Sequence, residues 1–117
     1  MTGEEFVAYH AETVGKMNEI CRRKNQDYSG DPQGSAFNNF TMIEEMGIAT
    51  TEEGFLTRMM DKMMRINNII KSGQAQVKDE SVEDTLLDLA NYSILLAGYL
   101  KTKKERQNLT EGVEYAQ

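Results

Sequence analysis

The sequence has one cysteine, Cys21, so no internal disulfide can form, and a chain without that staple is expected in a reducing compartment. Helical spacing sets Cys21 beside Met17 as a small buried hydrophobe, with no nearby His or helix N-terminus to activate a thiol. One histidine, His10, without a second His or Cys at ligand spacing, excludes a zinc site and reads as a core or interface residue. No segment approaches the roughly 18 apolar residues of a membrane span. The opening Met-Thr-Gly-Glu-Glu is acidic where a signal peptide would be basic, so the expected location is the cytoplasm, with no membrane partner. Positive charge is also scarce. Lys and Arg number 13 against 19 Asp and Glu, giving a net charge of −6, which excludes long nucleic acid as a partner. There is no Gly-x-x-x-x-Gly-Lys-Ser/Thr loop and no Ser or Cys triad.

What is present fits an all-α bundle of three long helices and a short one. The 117 residues, 39% of them hydrophobic, suffice for one core, and residues 1–106 are expected as a single helical domain. Thr2 and Glu5 have capping-box spacing, and Phe6, His10, Thr13, Met17 and Ile20 recur at helical intervals, predicting a first helix over Gly3–Asn25. The only proline and two glycines between Asp27 and Ser35 predict a loop. A short helix over Asn38–Met46 is closed by Gly47. Thr50 and Glu53 repeat the capping-box spacing, opening a helix over Thr51–Ser72 that Gly73 stops, with the methionines at 59, 60, 63 and 64 as a core seam. Asp79 or Ser81 can cap a last helix reaching about Lys104, and residues 107–117 are expected to be a flexible tail. Apolar residues surround that last helix, including Ile94, Leu95 and Tyr99, so a second subunit is expected to cover part of it, making a homo-oligomer.

Chemistry is suggested by residues that interrupt these apolar helices. Glu80, Asp84 and Asp88 stand at i, i+4, i+8, with Asn91 and Tyr92 one turn on. Like charges at that spacing repel, so something positive is required: a hard divalent cation, Mg²⁺ or Mn²⁺, or basic side chains. The spacing leaves both open. Arg58, Asp61, Lys62 and Arg65 form a second polar stripe, which an antiparallel helix pair turns toward the first. Asp61 then adds a fourth carboxylate, while the bases can neutralise a phosphate or pair with the acids. Lys24, Asn25, Asp27 and Tyr28, with Asn39 and Phe40, bring amides and rings close to the loop, as a nucleotide site or as the lid of a core.

These blocks resemble a known family. Lys24-Asn25-x-Asp27-Tyr28, Phe37-x-Asn39-Phe40, Arg58-x-x-Asp61-Lys62-x-x-Arg65 and Asp79-Glu80-x-x-x-Asp84-x-x-x-Asp88-Leu89-Ala90-Asn91-Tyr92 resemble the nucleotide modification associated domain, type one, a short family common in bacteriophages. That family looks like a branch of the all-α nucleotide pyrophosphohydrolases, which include MazG and the dimeric dUTPases and split a nucleoside triphosphate to monophosphate and pyrophosphate with Mg²⁺. The resemblance implies a MazG-like fold, metal held by Asp61, Glu80, Asp84 and Asp88, and catalysis by Asp61, Asp84 and Asp88. It implies a small nucleotide bound by Lys24, Asn25, Asp27, Tyr28, Asn39, Phe40, Arg58, Lys62, Arg65, Asn91 and Tyr92. The acid set is reduced, since Glu44-Glu45 is followed by Ile48 where that superfamily carries a third acid. Three functions follow as expectations: a Mg²⁺-dependent pyrophosphohydrolase, a non-catalytic nucleotide binder, or a structural helical oligomer.

Overall fold

The computed structural model describes the backbone of residues 1–29, 34–74 and 81–116 and the side chains of 1–25, 34–74 and 81–110. Those residues form four helices, α1 (Gly3–Ser29), α2 (Asn38–Glu45), α3 (Thr51–Ser72) and α4 (Val82–Ala116), and no strand.

Local chemistry sets the ends. The Glu53 N–H donates to Thr50 Oγ1 at 3.1 Å while the Thr50 N–H donates to Glu53 Oε1 at 3.0 Å, a reciprocal cap that satisfies two donors no helix can satisfy internally. Ser81 and Asp84 open α4 in the same way, the Asp84 N–H reaching Ser81 Oγ at 3.1 Å and the Ser81 N–H reaching Asp84 Oδ2 at 3.4 Å. At the other end of α3, Gly73 takes φ +75°, a left-handed conformation that costs glycine nothing, and its N–H closes on the Ile69 carbonyl at 2.8 Å.

Two boundaries differ from expectation. Helix α1 continues four residues past Asn25, and α4 stays helical to Ala116 where a polar tail is expected. Gln107, Leu109 and Glu111 are good helix formers, and the Thr110 hydroxyl folds back onto the Arg106 carbonyl at 3.0 Å, so polarity alone does not end the helix.

The chain divides into two compact units, Met1–Ala36 and Phe37–Gln117. The first is built on α1 alone. Within its own unit a lone helix has no second layer, and Cys21 and His10, expected on a buried stripe, are exposed. In the second unit α3 packs on both α2 and α4. Phe55 is fully buried and stacks on Phe40 with ring centroids 3.8 Å apart, while Tyr99 of α4 lies 6.0 Å from Phe55. Gly54 sits where α2 crosses: a Cβ there would meet Ile43 Cδ1 at 3.1 Å. The buried Thr51 hydroxyl donates to Glu44 Oε2 at 2.7 Å, fastening α2 to the start of α3.

Pairings along the hairpin show that α3 and α4 are antiparallel. Glu52 meets Lys103, Phe55 meets Tyr99, Lys62 meets Asp88 and Arg65 meets Thr85. Helix α3 thereby has three faces. Phe55, Met59, Ile66 and Ile69 point inward; Arg58, Asp61 and Arg65 lie to one side, and Leu56, Met60, Met63 and Ile70 to the other. The expected methionine core seam is thus corrected, because only Met59 turns inward, and Met60, Met63 and Met64 are exposed. Around α4, Leu95 and Tyr99 are half-buried within the unit, Tyr99 against Phe37 and Phe55, and only Ile94 of the expected partner-facing trio is exposed.

Truncating Phe55 removes the ring on which α2 and α4 both rest. Phe55→Ala is expected to destabilise the fold by about 3–5 kcal/mol, read from urea unfolding, enough to leave a small domain largely unfolded. A milder effect depends on pH. Lys103 donates to Glu52 Oε2 at 2.7 Å and holds that carboxyl below its ordinary value of 4.5, with a backbone N–H helping. A depressed carboxyl stabilises the fold above its unfolded value, and the contribution is lost as pH falls through the folded one. The stability gap between wild type and Glu52→Gln should therefore be open at neutral pH and close progressively below pH 4.5, as followed by denaturant titration across that range.

Candidate functional site

The polar face of α3 and the inner edge of α4 enclose an open concavity of about 360 Å³, lined by Arg58, Asp61, Lys62, Arg65 and Tyr92. Helical spacing explains the wall: residues 58, 61, 62 and 65 fall on adjacent turns of one side of α3.

Each base is held differently. The Arg58 guanidinium lies 5.3 Å from the centroid of the Phe40 ring, whose other neighbours are Phe55 and Tyr92, the latter edge-on at 6.0 Å. A planar cation on an aromatic face keeps its outward N–H donors available. Lys62 Nζ is 3.5 Å from Asp88 Oδ2, both side chains about one-third exposed, so the attraction is screened and the ammonium can turn to another anion. Arg65 Nε donates to Thr85 Oγ1 at 3.1 Å, and that hydroxyl donates in turn to the Ser81 carbonyl at 3.2 Å. Thr85 is only 3% exposed, so it gives Arg65 a fixed orientation from the neighbouring helix.

The candidate residues separate into three groups. Arg58, Asp61, Lys62, Arg65 and Tyr92 come together around the concavity, with Asp88 at its edge on Lys62. Asp84 is directed elsewhere, because its carboxylate caps the first turn of α4 on Ser81. Asn91 is half-buried beside Tyr92, and Asn39 is exposed on α2. Of the two readings of Phe40, the lid of a core fits its place: only 5% of it is exposed, and it supports Arg58 from beneath. Lys24 and Asn25 are on α1 in the other unit. The side chains of Asp27, Tyr28 and Glu80 lie outside the described residues.

Thr85 was not legible as a functional position. Its one signal is a small polar residue on the inner row of α4, in line with Asp88, Leu89 and Tyr92.

The arrangement can bind an anion. Three cations stand against two carboxylates, Asp61 and Asp88, so this surface is locally positive in a chain of net charge −6. Among the described residues no group of three His, Cys, Asp or Glu is placed to hold a divalent metal, with Asp84 on its cap and Asp88 beside Lys62; Glu80, the remaining expected ligand, lies outside them.

Fold and site together define a small all-helical protein with a cation-walled cleft on a helical hairpin. The profile of the nucleotide modification associated domain 1 family matches residues 24–97, more than half of the chain, and the protein belongs to that family. No curated protein and no solved structure gives a significant match.

Thr85→Val keeps the shape and removes the hydroxyl. It is expected to cost about 1 kcal/mol of stability and to weaken binding of a phosphorylated ligand several-fold through loss of Arg65 orientation, measured by calorimetric titration beside unfolding curves.

Proposed function

We propose that the protein binds a small nucleotide through its phosphates at the Arg58, Lys62 and Arg65 wall, working in the bacterial cytoplasm as a homo-oligomer. The observation that carries this reading is the convergence of three cations and Tyr92 on one concavity of an otherwise acidic protein. Guanidinium and ammonium groups neutralise phosphate charge, the two arginines by paired N–H donors and Lys62 as a point charge. Tyr92 supplies an aromatic edge beside them for the base or sugar. Membership of a family named for nucleotide modification supports the same ligand class. The fold has no helix long and apolar enough to cross a membrane among the described residues, which suits a freely diffusing ligand.

A second reading is the Mg²⁺-dependent pyrophosphohydrolase, favoured by one observation, that Asp61 lines the concavity with the bases. Asp84, turned to its helix cap and away from the concavity, favours binding over hydrolysis.

Asp88→Asn separates the two. The change keeps the size of the side chain and removes the negative charge that holds Lys62. A binder then has a stronger phosphate wall, so affinity for nucleoside triphosphates should hold or rise several-fold in chelator, with no phosphate release in any condition. A metal enzyme would instead lose turnover by orders of magnitude. Calorimetry and a pyrophosphate-release assay, run on both proteins with Mg²⁺ and with chelator, distinguish the outcomes. Absence of binding in all conditions would overturn both.

A further inference from the structure

The α3/α4 hairpin carries a second face, on the side away from the cleft. On α3, Leu56, Met60, Met63, Asn67 and Ile70 recur at spacings of four and three residues. On α4, Leu86, Ala90, Ser93, Ala97 and Leu100 recur at the same spacings. Each row lies about a quarter turn past its helix's inner row, in the same rotational sense, at roughly 100° per residue. Antiparallel pairing of two right-handed helices brings two such rows onto one broad face, just as it brings Lys62 and Asp88 together on the other.

None of these ten residues is charged, although 27% of the chain is. The large hydrophobics among them, Leu56, Met60, Met63, Ile70, Leu86 and Leu100, are 46–69% exposed. Ser93 adds no unmet polar group, since its hydroxyl donates to the Leu89 carbonyl at 3.0 Å. Asn67, the one amide, lies toward the loop end of the hairpin, where it stays near the rim.

We propose that this face is the self-association surface, on which two copies of the chain stack as a four-helix bundle. The assignment rests on the homo-oligomeric reading above and narrows it to one surface; its test needs no nucleotide.

Shape selects a second copy as the occupant. The α3 row is bulky between its ends, with Met60 and Met63, and the α4 row is small between its leucines, with Ala90, Ser93 and Ala97. A two-fold axis running along the hairpin lays the α3 row of one copy over the α4 row of the other, antiparallel, so methionines enter the hollow left by alanine and serine. The absence of charge is unsuited to a nucleic acid or a charged peptide. Area is sufficient. Leu56 to Ile70 spans about 21 Å of helix, and two helices 8–10 Å apart make a face roughly 20 Å wide. That footprint is about 420 Å² on each copy and about 840 Å² over two, and with the rims roughly 1,000 Å², the lower limit for a specific interface.

The test uses the full chain at micromolar concentration in light scattering, with circular dichroism as a check on folding. Wild type is expected at the mass of a dimer or a multiple of it, and Met63→Glu at a lower mass with unchanged helix content. Where Met63→Glu loses helicity, Ala97→Leu replaces it, filling the hollow with a residue that favours helix. The Leu56→Cys and Ala97→Cys proteins, each also carrying Cys21→Ser, are then mixed and oxidised. A mixed disulfide exceeding the two self-linked products is the expected result. A monomeric wild type, as when α1 covers the face within one chain, would overturn both the oligomer and the face. An oligomer that Met63→Glu and Ala97→Leu leave intact, with no excess of mixed disulfide, would overturn the face alone.

Discussion

The stacked pair Phe40–Phe55 is the contact on which the larger unit depends. Phe55 has no exposed surface, and its neighbours come from α2 through Phe40 and from α4 through Tyr99. Two rings 3.8 Å apart and nearly parallel bury much apolar area in one place, in a chain whose other described hydrophobics are mostly half-exposed. The same Phe40 ring carries the Arg58 guanidinium and meets Tyr92 edge-on. Core and cleft thus share one ring. A change that tilts Phe40 alters the position of a cation on the cleft wall as well as the packing of α2.

Much of the helical layout was legible because it rests on local chemistry. Thr50 with Glu53 and the left-handed Gly73 bound α3 at the residues their side-chain and backbone chemistry require. Ser81 with Asp84 is the same device, and it altered the reading of the site. Seen as one of three stacked acids, Asp84 suggested a ligand; its carboxylate instead answers an orphan N–H at the start of α4. An acid three residues after a serine at a helix start has two uses, and spacing alone does not choose between them.

Burial was less legible, for a reason of scale. Periodicity tells which residues share a face, not whether a second layer exists to cover it. The stripe of α1 is regular, yet of Phe6, His10, Thr13, Met17 and Ile20 only Met17 is buried, and Phe6, His10 and Ile20 are exposed. The methionines misled in the same way. Four of them in six residues read as a seam, but at 100° per residue their directions spread over an arc of about 140°, too wide for one inner face. Thr85 escaped notice because a threonine on an apolar helix ordinarily satisfies its hydroxyl on its own backbone, as it does here on Ser81; the bond it accepts from Arg65 comes from another helix.

The hairpin assigns opposite tasks to opposite sides. Lys62, Arg65 and Asp88 need water nearby, because an ion pair at one-third exposure can exchange partners with a phosphate at small cost, whereas a fully buried pair would resist it. Leu56, Met60, Met63 and Leu86 need water removed, and nothing in their own unit removes it. Covering the apolar side would stiffen both helices without touching the cleft, since residues on opposite sides of a helix share a backbone and few side-chain neighbours. The geometry of Arg65 would then benefit indirectly, because Thr85 can orient it only while α3 and α4 keep their register. On this view self-association and ligand binding are coupled through the stiffness of one hairpin, and not through a residue that belongs to both surfaces.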